Sequence, residues 1–267
     1  MIFWNRSDNM HYLGGKSKQA AGIVSVIETL SKYRHVVDPF MGGASMTAAF
    51  ARRHFTVEAS DIVAPLVAMW QHALTGWRPD YDDITREQWE AAKKLPDSDP
   101  LKAFFGFGCS FGGKWFCSPA IGPNSGCIPT YAMSARSSIS RKADTMAIGV
   151  TITCRSFFDI APIAGVVLYC DPPYANTTGY GAAGKFDCNA FWSRCREWVA
   201  ARSDVFVSEF SAPDDAVCVY EQRRTQTIAM GIDRQSEGAT NKVEKLWMLA
   251  PGDATIRRLT RQCELYG

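Results

Sequence analysis

From Ser17 to Leu74 the hydrophobic period of the chain switches repeatedly between helical and extended, and this alternation restricts the fold more than any other feature. Ala20, Ile23, Val24, Ile27 and Leu30 recur at helical spacing within Ser17 to Lys32. His35-Val36-Val37-Asp38 then reads as a short buried strand, followed by a glycine turn. A helix is expected over Gly43 to Arg53, a strand over Phe55 to Ala59 and a helix over Ile62 to Leu74. Strands that alternate with helices pair in parallel, because each helix carries the chain back across the sheet. The expected class is therefore α/β, with a Rossmann-like parallel sheet.

Thr85-x-x-Gln88 has the form of a capping box and opens a helix to about Leu95. From Pro96 to Asp144 the rhythm breaks, and Gly106, Gly108, Gly112, Gly113, Gly122 and Gly126 mark loops. Alternation resumes with strands at Thr151 to Cys154 and before Asp171, a helix from about Asn189 to Arg202, and strands at Val205 to Ser208, Val217 to Tyr220 and Lys245 to Leu249. This organisation predicts one domain made of residues 1–75 and 150–267, interrupted by an inserted, mainly helical and loop region at 76–149. A length of 267 residues with 46% hydrophobic and 21% charged residues suffices for one such domain and its insertion. No apolar run approaches a membrane span, and the first ten residues carry Arg6, Ser7 and Asp8 rather than a leader. A cytoplasmic protein without membrane contact is expected. Nine cysteines without Cys-x-x-Cys spacing and only four histidines predict reduced thiols and no metal site.

Three short elements carry chemistry. Directly after the apolar run Val166 to Cys170 stands Asp171-Pro172-Pro173-Tyr174, which puts a carboxylate, a rigid carbonyl and an aromatic ring at one strand end. An exocyclic amine conjugated to a purine ring is a poor nucleophile, and acceptors that draw its hydrogens out of plane favour attack on an electrophilic methyl group. Asp171 and the Pro172 carbonyl can each accept one N–H, and Tyr174 can stack on an extruded base. A Pro-Pro pair also serves as a plain stiff exit turn. The second element is the strand, glycine turn and helix start of Asp38-Pro39-Phe40-Met41-Gly42-Gly43, with Asp61 at the end of the next strand. Backbone N–H groups at such a turn approach a ligand closely, and a carboxylate at the place of Asp61 suits ribose hydroxyls. Asp38 and Asp61 would repel a pyrophosphate, whereas a sulfonium-bearing nucleoside tolerates them. The third element, Tyr12-Leu13-Gly14-Gly15-Lys16-Ser17, lacks the earlier glycine and the preceding strand of a phosphate-binding loop. Lys16 there suits a cofactor carboxylate or a nucleic-acid phosphate.

Set in their order along the chain, the three elements make it resemble the adenine-specific DNA methyltransferases of the D12 class (alpha group), in which the cofactor motif precedes a recognition insert and Asp-Pro-Pro-Tyr follows it. The resemblance also takes in Cys154-x-Ser156-Phe157-x-Asp159. It implies a Rossmann-like S-adenosylmethionine-dependent methyltransferase sheet with a target-recognition lobe at 76–149. It further implies catalysis by Asp171, Pro172, Pro173 and Tyr174. The cofactor, S-adenosylmethionine, would lie against Tyr12, Gly14, Gly15, Lys16, Asp38, Phe40, Gly42, Gly43, Asp61, Ser156, Phe157, Phe158 and Asp171. The implied partner is double-stranded DNA, modified at adenine N6 of a flipped base with either strict or relaxed site specificity.

The insert supports that partner by charge. Between residues 101 and 150 stand Lys102, Lys114, Arg136, Arg141 and Lys142 against Asp144 alone, interleaved with Phe104, Phe105, Phe107, Phe111, Trp115, Phe116 and Tyr131. Lys114, Arg136, Arg141 and Lys142 are the expected phosphate contacts. The same residues also suit a small aromatic core with a solvated face. No proline is followed by cysteine, so the nucleophile of cytosine-C5 methylation is absent. An RNA methyltransferase acting on guanine N2 or adenine N6 stays open as an alternative, as does a DNA-binding protein without activity. Oligomeric state is not legible.

Overall fold

The computed structural model describes residues 16–121, 130–173, 186–222 and 243–249. Among them seven strands form one sheet: β1 (His35–Asp38), β2 (Thr56–Asp61), β3 (Val150–Cys154), β4 (Val167–Cys170), β5 (Asp204–Glu209), β6 (Ala216–Gln222) and β7 (Glu244–Leu249). Their order is β3-β2-β1-β4-β5-β7-β6. The pairs among β1 to β5 are parallel, and β7 runs antiparallel to both β5 and β6. The α/β, Rossmann-like sheet expected from the alternation is thus present, with the single antiparallel strand as an addition that the sequence periodicity did not indicate.

Helices cover both faces. α1 (Ala20–Leu30), α2 (Ser45–Arg52) and α3 (Ala64–Leu74) pack against the face that carries Val36, Val167, Tyr169 and Phe206. The opposite face, with Val37, Leu168, Cys170, Val205 and Val207, receives α7 (Cys188–Ala200) through Phe191, Cys195 and Trp198. All four residues of β4 are buried, because successive side chains enter different cores and neither face meets water.

The described residues between α3 and β3 hold more helix than the glycines among them imply. Thr85 and Gln88 form both bonds of the predicted capping box at the start of α4 (Arg86–Ala92). Asp99 caps the short α5 (Pro100–Ala103), which runs into a π-helical turn over Phe104–Gly108. Gly106 permits this turn, since a Cβ there would stand 2.4 Å from the Trp115 ring. Thr130 then caps α6 (Tyr131–Met146), a 16-residue helix lying against α2 and α3. Phe104, Phe105, Phe107, Ile139 and Met146 bury into the same cluster as α1 to α3, so this region shares the core of the sheet. Its aromatics are therefore mostly core, with Phe111 left 64% exposed beside Tyr131.

Candidate active site

Strand register brings the predicted residues to one edge. Asp38 pairs with Ala59, which puts Asp61 two residues beyond it at the carboxyl end of β2. Asp61 pairs with Cys154, so Ser156 and Phe157 emerge from β3 at the same level. Val37 pairs with Leu168, and Asp171 follows the last residue of β4 on the adjoining strand. The strand order reverses between β1 and β4, and the carboxyl edge at such a reversal is where open parallel sheets bind ligands.

The turn after β1 is built by two buried carboxylates. Asp38 accepts from Thr47 Oγ1 at 2.7 Å and from the Phe40 N–H at 3.3 Å. Asp61 accepts from the Gly42 N–H at 2.9 Å through one oxygen and from the Val63 N–H at 3.0 Å through the other. The Trp70 indole donates to the Gly42 carbonyl at 3.1 Å. Gly42 has φ 47°, a region cheap only for glycine, and Ala44 follows with φ 54° as the residue before α2. Burial pushes the Asp38 acid up to about 7, against the bonds from Thr47 and Phe40, with Asp171 and Asp61 adding repulsion. Burial also raises Asp61. Both carboxylates thus face an electrostatic environment that a cationic ligand would relieve.

Asp171 is held differently. Its Oδ1 lies 2.6 Å from Lys16 Nζ, and the same ammonium lies 2.6 Å from Glu244 Oε1. The Lys16 and Glu244 side chains are 1% and 3% exposed and that of Asp171 is 19% exposed. Pro172 is buried and Pro173 half-buried. Beneath them Tyr169 OH and Ser208 Oγ share a 2.9 Å hydrogen bond. Tyr12, Gly14, Gly15 and Tyr174 lie outside the described residues.

An aromatic wall completes the edge. The Phe40 ring packs 5.4 Å from that of Phe157 and 5.7 Å from that of Phe191. Phe157 is buried, while Phe158 is 45% exposed with its ring 4.0 Å from Phe157. Ser156 and Asp159 form a capping box that fixes this short turn, and Arg194 donates to the Phe158 carbonyl at 3.1 Å. Gly43 stands in the turn beneath, its carbonyl accepting from Lys142.

The four expected phosphate contacts separate. Lys114 and Arg141 are exposed. Arg136 meets Asp82 at 2.5 Å. Lys142 is not presented to a partner: its ammonium bonds the Gly43 carbonyl at 2.6 Å and Ser45 Oγ at 3.0 Å, beside the Trp70 ring. The reason is helical phase, since Lys142 stands one turn after Ile139 at the border of the buried stripe of α6. Burial pushes its amine down to about 7, aided by Arg141. Sequence reasoning also missed Thr47 and Glu244. Glu244 had a signal, since it shares a strand face with the buried Leu246 and Met248.

Among the described residues no group of three or more His, Cys, Asp and Glu side chains is arranged to hold a metal, and no helix is long and apolar enough to cross a membrane.

Residues 12–98 match the family model of the D12 class N6 adenine-specific DNA methyltransferases, a stretch that includes the turn, Asp61 and Lys16 and ends before Asp171. No curated protein matches the sequence. Similar solved structures include the rRNA methyltransferase aviRa from Streptomyces viridochromogenes, at 14% identity and TM-score 0.36 over 80% of this chain and 76% of that one. Another is a candidate methylase, HI0767, from Haemophilus influenzae, at 9% identity and TM-score 0.39 over 89% and 91% of the respective chains.

Proposed function

We propose that this chain is an S-adenosylmethionine-dependent DNA methyltransferase of the D12 class that modifies adenine N6 in duplex DNA. The observation that carries the reading is the meeting of Asp171-Pro172 with the Asp38 to Gly43 turn at the reversal of the sheet. The family match over the turn supports it independently.

The residues present fit the cofactor. Its sulfonium and ammonium are cations, and the edge offers Asp38, Asp61 and Asp171 with a raised acid at Asp38. Asp61 would accept from the ribose hydroxyls with the lone pairs that Gly42 and Val63 leave, since a carboxylate has about four acceptor directions. Phe40, Phe157 and the exposed Phe158 would pack on the adenine, with Ser156 beside them. Gly42 and Gly43, joined by Tyr12, Gly14, Gly15 and Lys16, would line the methionine end. When bound, the cofactor supplies an electrophilic methyl carbon.

The protein's own task is to prepare the nucleophile. Asp171 and the Pro172 carbonyl would accept the two amine hydrogens of an extruded adenine, tilting its lone pair out of the ring plane. Tyr174 would stack on the base and Pro173 would stiffen the approach. No covalent intermediate on the enzyme is needed. Lys114, Arg136 and Arg141, on the segment at 76–149, would meet DNA phosphates and give binding a steep salt dependence.

Methyl transfer from labelled S-adenosylmethionine to unmethylated plasmid DNA tests the reading, with nucleoside mass spectrometry of the product. N6-methyladenine is expected with the intact chain and not with Asp171→Ala. Label in ribosomal RNA but none in DNA would overturn the substrate assignment.

A further inference from the structure

Lys142 belongs to the insert, yet its amine is spent on the turn after β1, and the scheme above gives it no task. It is half-buried on α6, and its Nζ donates to the Gly43 carbonyl at 2.6 Å and to Ser45 Oγ at 3.0 Å. Ser45 Oγ in turn shares a 3.0 Å hydrogen bond with Ser17 Oγ, just before α1. One amine thus links three stretches that lie far apart in the chain.

The turn that it holds is strained. Ala44 is fully buried and has φ 54° and ψ 29°, the left-handed region in which a Cβ crowds the following carbonyl. Such a conformation persists where its surroundings over-determine it. Here the peptide unit between Gly43 and Ala44 is fixed at both ends. Its carbonyl accepts from Lys142, and its N–H donates to the Met41 carbonyl at 2.8 Å. The Trp70 indole secures the preceding carbonyl, that of Gly42, at 3.1 Å. Trp70 comes from α3, whereas Lys142 comes from the insert.

We propose that Lys142 is a positioning residue for cofactor binding, through which helix α6 of the insert holds the Gly42 to Ala44 turn in the form that receives S-adenosylmethionine. The inference rests on the assignment of that turn to the cofactor.

A lysine suits this place because burial pushes its amine down to about 7, which lessens repulsion of a cationic ligand. A neutral amine keeps two N–H groups, as many as its two hydrogen bonds require. Without those bonds the peptide after Gly43 can rotate, and Ala44 relaxes toward ordinary backbone conformations. Cofactor affinity then falls by the fraction of molecules that still hold the receiving form. Glycine adopts the left-handed form without the cost that alanine bears, so a glycine in place of Ala44 should make the bond from Lys142 dispensable.

The test is calorimetric titration of S-adenosylmethionine into the full chain, at a temperature where circular dichroism shows each variant folded, with steady-state kinetics on plasmid DNA beside it. Lys142→Met keeps the length of the side chain and removes its donors. It is expected to weaken cofactor Kd by about tenfold and to raise cofactor KM in proportion, with kcat lowered by less than about threefold. Adding Ala44→Gly to Lys142→Met should bring Kd back to within about threefold of the wild type. Ser45→Ala, a milder change, takes one anchor from the amine and should weaken Kd by about threefold. A Kd within about twofold of the wild type in Lys142→Met overturns the inference, as does a double variant that binds no better than Lys142→Met. Should Lys142→Met not fold, an unchanged Kd in Ser45→Ala overturns it instead. The two readings fail separately. Absence of cofactor binding by the wild type removes the cofactor assignment and the inference with it, whereas equal binding by the wild type and Lys142→Met removes only the inference.

Discussion

Two pairs of carboxylates stand at the same sheet edge and are met in opposite ways. Asp38 and Asp61 are met by neutral donors, a threonine hydroxyl and the N–H groups of Phe40, Gly42 and Val63. Asp171 and Glu244 are met by one ammonium. Neutral donors shape a turn but leave charge uncompensated, which is why burial drives Asp38 up to about 7. The ammonium compensates charge directly. The first cluster is thus suited to receive a cation and the second to hold an acceptor in place.

The sharpest way to break this contrast is to remove the ammonium. Lys16→Met takes the ammonium from both carboxylates, and a loss of about 3 kcal/mol is expected, read as a drop in the midpoint of urea unfolding. Next in size is Asp171→Ala, expected to lower kcat by about 10²-fold or more at nearly unchanged cofactor affinity. Asp61→Ala should show the reverse split, with cofactor Kd weakened by about tenfold and the turn destabilised by loss of two acceptors. An Asp61→Ala enzyme that binds cofactor normally would show that Asp61 only braces the turn.

A pH series separates the clusters more finely. The folded chain keeps the Asp38 proton that the unfolded chain releases near its ordinary value of 3.8, so stability from this group is greatest below that pH and falls as pH rises to about 7. Lys142 works oppositely: its amine is pushed down from 10.5 to about 7, and stability rises between those values because the unfolded chain holds the extra proton. The melting temperature of Asp38→Asn minus that of the wild type should therefore grow from pH 4 to pH 7. A flat difference would mean that Asp38 titrates normally. Cofactor affinity should also strengthen as pH rises through 7, since ionised Asp38 attracts the cation. The smallest effect belongs to Thr47→Val, which removes one hydroxyl donor to Asp38 and should cost about 1 kcal/mol in unfolding free energy.

Much of this edge was legible beforehand. β1 matches its predicted residues, and the strand before Asp171 and the capping box at Thr85 fall where expected, because each is written in local period or cap chemistry. The long helix α6 has no bounds legible in the sequence of the mainly helical and loop insert, because serines and charged residues dilute its apolar stripe. Lys142 was assigned to phosphate contact for the same reason. Without the helix, its phase toward Gly43 could not be seen.

By itself the sequence determined which strand ends carry carboxylates and in what order they occur, since hydrophobic period and turn residues act over a few neighbours. Only the tertiary structure decided what those carboxylates meet. Lys16 and Glu244 lie near opposite ends of the chain, and no local rule couples them. They come together because β4, β5 and β7 are neighbours in the sheet and α1 packs across its face. Pairing of charges at that distance follows from packing, which sequence period specifies only in part.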